Sequence, residues 1–125
     1  MTDYTLSATI TPQQICDQII TAFEGGSNYW LISADMAPNS PQPDALESPW
    51  YATEALFALP DWAIDIKADD DAKTYRLDRD AVTKAVTLMA QSQSEHLGNL
   101  LADCGDAETA DVFLQMALFG EIVYG

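Results

Sequence analysis

The hydrophobic and polar positions of this chain change period several times, and each change predicts an element. Residues 3–10, DYTLSATI, alternate Tyr4, Leu6, Ala8 and Ile10 with polar or small neighbours, the period of a half-buried strand. Thr11-Pro12-Gln13-Gln14 then predicts a helix start, with Thr11 as cap, Pro12 at the first helical position and Gln14 closing a capping box. Ile15, Ile19, Ala22 and Phe23 recur at helical spacing as one apolar stripe flanked by Cys16 and Ile20. Gly25-Gly26 is expected to end that helix in the left-handed conformation. Residues 28–37, NYWLISADMA, are rich in aromatic and β-branched side chains and predict a second strand crossing the core.

The pattern breaks at 38–60, where Pro38, Pro41, Pro43, Pro49 and Pro60 can neither pair inside a sheet nor continue a helix. This proline-rich stretch reads as a loop, with room for a short helix over 54–59. Trp62, Ile64 and Ile66 alternate with Asp61, Asp65 and Lys67 as a third strand. After the acidic turn Asp69-Asp70-Asp71, Tyr75 and Leu77 alternate with Thr74 and Arg76, which predicts a hairpin. Asp78 or Asp80 caps a helix carrying Val82, Ala85, Val86 and Met89. A Ser- and Gln-rich break and the apolar Leu97, Leu100 and Leu101 follow. Asp106 opens a last helix whose Ala110, Phe113, Leu114, Ala117 and Leu118 face inward. Gly120 stops it, and EIVY at 121–124 predicts a short terminal strand. The expectation is an α+β fold over 1–125: a small antiparallel or mixed sheet of four to five strands packed against three to four helices.

Charge changes the picture more than size does. The 125 residues include 20 Asp and Glu against 5 Lys and Arg, a formal charge of −15, beyond the magnitude of roughly 2 to 8 usual for a small domain. Every base (Lys67, Lys73, Arg76, Arg79, Lys84) falls within 67–84, where five aspartates balance them. Residues 1–66 carry nine acids and 85–125 carry six, with no base in either. Such a chain is not expected to bind bare nucleic acid, whose phosphates need a basic surface. No run approaches the roughly 20 apolar residues of a membrane span, and the N-terminus lacks a signal-peptide layout, so a cytosolic protein is expected. Averaged over a surface of about 6,600 Å², the net charge comes to roughly one per 440 Å², against roughly one per 110 Å² for B-DNA. Imitating nucleic acid requires the carboxylates to crowd onto one face.

Three segments resemble a group of small acidic proteins encoded in bacteriophage and prophage genomes: EGGSNYW at 24–30, the Trp62 strand with its acidic turn, and DAETADVFLQMALFGEIVYG at 106–125. The likeness is weakest in the proline-rich loop. It implies a phage-encoded accessory protein working in the cytoplasm of an infected host, and it carries no assigned catalytic residue.

Catalytic signatures are missing. His96 is the only histidine, no G-x-S-x-G elbow accompanies it, and its position beside Glu95 reads as a solvated helix residue. Asp69-Asp70-Asp71 does not follow the calcium-loop spacing. The carboxylates of 103–108 read as helix caps rather than metal ligands. Cys16 and Cys104 read as two reduced thiols. No cofactor or metal is expected, and the chain reads as a non-enzyme. Tyr29, Trp30 and Trp62 read as core residues. Trp50 and Tyr51, in the proline-rich loop near Glu47 and Glu54, read either as an interface anchor or as the pin holding the loop to the core.

These features point to partner binding through an acidic face. Asp103, Asp106, Glu108 and Asp111, joined by Asp69, Asp70 and Asp71 and flanked by Trp50 and Tyr51, are the candidate contacts to a basic host protein or nucleic-acid-handling complex. A DNA-mimicking inhibitor of a defence complex, of anti-CRISPR or anti-restriction type, is the concrete form. Two other classes stay open. One is a small-molecule or nucleotide-sequestering protein with a pocket between Trp30, Trp50 and Trp62; the other is a homo-oligomeric assembly factor joined through EIVY.

Overall fold

The structure, a computed structural model, describes residues 3–69 and 73–125. Its described strands are β1 (Leu31–Met36), β2 (Ala63–Ala68) and β3 (Thr74–Asp78), an antiparallel sheet in the order β1-β2-β3. The helices are α1 (Pro12–Thr21), α2 (Glu54–Phe57), α3 (Arg79–Ser92), α4 (Ser94–Leu101) and α5 (Ala107–Phe119). The fold is thus α+β, with a three-stranded sheet and five α-helices described in place of the four to five strands and three to four helices expected.

Two of the expected strands are not formed: alternation marks a strand only when the segment is laid against a sheet edge, and neither segment lies along β1 or β3. Residues 3–9 leave the body as an unpaired exposed arm, with Tyr4 101% and Leu6 95% exposed. At the other end, 121–124 makes no ladder, because buried Gln115 claims its backbone. Gln115 Oε1 accepts from Val123 N at 2.8 Å and Tyr124 N at 2.9 Å, and its Nε2 donates to Tyr124 O at 3.1 Å. The terminal segment is pinned across the end of the sheet, where Tyr124 stacks on Trp30 with ring centroids 5.3 Å apart.

Residues 62–68 face both ways. Ile64, Ile66 and Ala68 point into the core, while Asp65 and Lys67 point out. Arg76 stands opposite Asp65 and donates to it at 2.8 Å. α5 is the central helix, buried almost all round: Ala110, Phe113, Leu114, Met116 and Ala117 all sit in the core. Trp30 and Trp62 join that core, whereas Tyr29 is 55% exposed and works through its hydroxyl. The three tryptophans do not line a common cavity among the described residues.

The local helix signals read true. Thr11 and Gln14 form the capping box, with Gln14 N donating to Thr11 Oγ1 at 3.2 Å and Thr11 N to Gln14 Oε1 at 2.9 Å. Asp78 caps α3, Asp106 caps α5, and Gly120 closes α5 at φ 76°. Gly25-Gly26 behaves otherwise. The chain continues α1 through one π turn, Ala22–Gly26, with neither glycine in the left-handed region. Gly26 is needed for closeness: a Cβ there would collide with the carbonyl oxygen of Ala107. Gly26→Ala is expected to push the π turn off α5 and cost about 1–3 kcal/mol in urea unfolding; Gly25→Ala, which meets no atom within 4 Å, serves as the near-neutral control.

Candidate functional site

One end of the molecule is built by α1, its π turn and the turn between α4 and α5. Gln14 Nε2 donates to Leu101 O at 3.3 Å and to Asp103 Oδ1 at 3.2 Å, tying α1 to that turn. The contact of Gly26 with Ala107 ties it again at the start of α5. α1 and its π turn carry the exposed Asp17 and Glu24, the α4–α5 turn carries Asp103 and Asp106, and the first turns of α4 and α5 carry Glu95 and Glu108; none of these elements holds a lysine or arginine.

Asp103 holds a left-handed backbone at φ 59°, which Asp tolerates better than most residues and which turns the chain out of α4. Asp106 accepts from Thr109 N at 2.9 Å, and this backbone donor, with a smaller contribution from His96, lowers its carboxyl below the ordinary range. Its charge is therefore doubly favoured at the positive end of α5. Glu108 stands in the same first turn, its side chain 77% exposed and 3.8 Å from His96 Nε2. His96 is not the solvated residue expected. It is half-buried, with Nδ1 2.8 Å from Thr109 Oγ1, and it fastens α4 to α5.

The structure thus brings Asp103, Asp106 and Glu108 together. Asp111, one turn further along α5, points inward: its Oδ1 accepts from Ser27 Oγ at 2.8 Å and Trp30 Nε1 at 2.7 Å, and its Oδ2 accepts from Tyr29 Oη at 2.5 Å and Gln115 Nε2 at 3.1 Å. Four internal donors occupy this carboxylate. Partial burial, then the hydrogen bond and charge of Asp111, push the Tyr29 hydroxyl up to about 12. Asp69 is exposed just past β2, where its backbone N donates to Trp30 O at 2.7 Å and its carbonyl accepts from Tyr124 Oη at 3.3 Å. Asp70 and Asp71 lie outside the described residues.

Trp50 and Tyr51 sit in a single 3₁₀ turn (Trp50–Ala52) packed on α1, and both are half-buried. Tyr51 meets Phe23 edge to face at 5.1 Å, and its hydroxyl donates to Glu24 at 2.7 Å, a bond that raises the Tyr51 hydroxyl above its ordinary value. The loop is therefore pinned to the core through these rings, with Glu24 exposed beside them.

The bases lie elsewhere. Lys67 and Arg76 are on the open face of the sheet, Lys73 sits 5.2 Å over the Tyr75 ring, and Arg79 and Lys84 are on α3. These bases share their elements with Asp65, Asp78 and Asp80, whereas α1, its π turn and the α4–α5 turn carry acids alone. Asp17, Glu24 and Glu95 escape a reading of charge runs because each stands alone in sequence. Their only signal is a polar position opposite an apolar stripe, and packing is what gathers them.

The negative field around α1 shows in a neighbour. Burial first, then Asp17 and Glu54, push the Cys16 thiol from 9.0 up to about 11. A thiol with a raised folded value contributes stability that is complete below pH 9 and is lost as pH rises through about 11. Cys104 is exposed and free. In a native thiol titration at pH 8, one equivalent of Ellman's reagent is expected to react quickly and disappear in Cys104→Ser. The second, Cys16, reacts only on unfolding. Equal rates for both would contradict this account of α1.

Among the described residues no three His, Cys, Asp or Glu side chains are placed to hold a metal ion, and no helix is long and apolar enough to cross a membrane. Comparison with protein-family models, curated proteins and solved structures finds no match to this chain.

Proposed function

We propose that this protein acts by binding rather than catalysis, presenting the acidic face of α1, its π turn and the α4–α5 turn to a basic partner protein. One observation carries the reading: six exposed carboxylates, Asp17, Glu24, Glu95, Asp103, Asp106 and Glu108, stand on elements that hold no base, while the bases sit on and beside the sheet and on α3. The exposed surface of 7253 Å² shared among 15 net negative charges is roughly 480 Å² each, far more dilute than the roughly 110 Å² per charge of B-DNA. Imitating a phosphate backbone therefore rests on local concentration of carboxylates rather than on total charge.

An acidic face on a small rigid body accelerates encounter with a basic groove and excludes nucleic acid from the same groove by bulk and charge. Asp103, Asp106 and Glu108 are the central contacts, extended by Asp17 and Glu24. Together with the resemblance to small phage-encoded proteins, this favours a nucleic-acid-handling defence complex of an infected host as the partner, and inhibition of the anti-CRISPR or anti-restriction kind as the outcome. The site of action is then the host cytoplasm.

The test is capture from bacterial lysate on immobilised protein at about 0.1 M salt, followed by elution as salt rises. The Debye length shrinks from roughly 10 Å to 3 Å between 0.1 M and 1 M, so the partner is expected to leave across that range. It should be basic, and added DNA should displace it. Retention unchanged at 1 M salt, or no displacement by DNA, would overturn the reading.

A further inference from the structure

α1, α2 and α3 leave an open groove of about 400 Å³, within the range of small-molecule sites. Its floor is Ile15, Phe57 and Trp62, one wall is Val82 and Val86 of α3, and the other is Ile10 where the N-terminal arm leaves the body. Among the described residues, Arg79 is the only charged one lining it.

Three features of Arg79 point outward, to a ligand. It is exposed, and among the described residues no carboxylate lies within ion-pair distance of its guanidinium. It occupies the first turn of α3, where the helix dipole disfavours a base, so helix stability does not account for it. In a chain with 5 bases against 20 acids, this one borders an apolar groove. Arg79 also borders an adjoining polar cleft lined by Asp61, Asp78 and Asp80, but it forms an ion pair with none of them, and Asp78 is engaged as the cap, accepting from Ala81 N at 2.9 Å.

We infer that this groove binds an apolar small molecule ending in a single carboxylate, of the medium-chain fatty-acid type, with the chain on Phe57, Trp62 and Val86 and the carboxylate on the Arg79 guanidinium. The guanidinium fork matches a carboxylate in two parallel hydrogen bonds. One counter-charge favours a monoanion; a polyphosphate would bring more negative charge than the groove offsets. This site is independent of the acidic face, so either reading can fail alone.

Calorimetric titration with hexanoate, octanoate and decanoate, each below its micelle concentration, tests the inference, with the Trp62 indole N–H resonance reporting location. Affinity is expected to rise about fourfold per methylene until the groove is filled, and decanoate should bind well ahead of decanol. Arg79→Gln should weaken decanoate about ten- to hundredfold, as expected for loss of charged hydrogen bonds, and leave decanol unchanged. Lys67→Gln, on the open sheet face, should change neither. Val86→Trp, at the groove wall, should abolish binding while circular dichroism stays native. Absence of decanoate binding, equal affinity for acid and alcohol, or full decanoate affinity in Arg79→Gln would overturn the proposal.

Discussion

Replacing Asp111 with alanine is expected to destabilise the protein by about 3–5 kcal/mol, the largest loss of any exchange at a charged position. The side chain sits at the junction of α5, the π turn and the start of β1, and it accepts four hydrogen bonds. Two of the donors are on residues with no access to water, Ser27 at 0% and Trp30 at 1% exposed. Removing the carboxylate leaves both donors buried and unpaired, at about 1–3 kcal/mol each, and also removes the charged bond from Tyr29. Asn keeps an acceptor oxygen for Ser27 and Trp30 and turns its amide toward a tyrosine hydroxyl able to accept, losing only the bond from Gln115 Nε2, which still donates to Tyr124 O, so Asp111→Asn should cost less, about 1–2 kcal/mol. Urea unfolding with an unchanged m-value measures both. A loss under about 1 kcal/mol for the alanine variant would show that the network does not hold this end together.

The second large effect concerns binding. Combining Asp17→Asn, Glu24→Gln, Asp103→Asn and Glu108→Gln strips the acidic face without disturbing its scaffold. Every site is exposed, an amide oxygen at position 24 would still accept from the Tyr51 hydroxyl, and Asn suits the left-handed backbone at 103. Asp106 is left in place because it caps α5. Electrostatic steering separates association rates near 10⁸–10⁹ M⁻¹s⁻¹ from unsteered ones near 10⁵–10⁶. At about 0.1 M salt the variant should therefore associate with the captured partner on the order of a hundredfold more slowly. Stopped-flow mixing reads this directly, and an unchanged melting curve shows that the fold survives.

What can be read from sequence follows the reach of the interactions involved. The capping box at Thr11, the caps at Asp78 and Asp106 and the left-handed Gly120 all join residues within a few positions, and all stand where the local pattern puts them. The hairpin of β2 and β3 is legible for the same reason. The arm at 3–9 and the tail at 121–124 carry strand periodicity with no strand beside them, and no local pattern distinguishes that from a paired strand. Asp111 looks like one more acid in the first turns of a helix. Its inward role depends on Ser27, Tyr29 and Trp30, 81 to 84 residues away. Gly26 carries the same lesson, since its requirement comes from Ala107 across the fold. The acidic face is half legible: the cluster at 103–108 is contiguous, while Asp17 and Glu24 join it only once α1 packs against the α4–α5 turn.

The central claim is that the placement of negative charge, and not its total, does the work. The most direct measurement compares the face variant above with a second one, Asp3→Asn, Asp35→Asn, Asp44→Asn and Asp61→Asn, which removes the same amount of charge from exposed positions elsewhere. Affinity of each for the captured partner at about 0.1 M salt is the readout. The account predicts that the second variant binds within a few-fold of the natural protein while the first loses most of its affinity. Equal losses in the two variants, or no loss in the first, would contradict it.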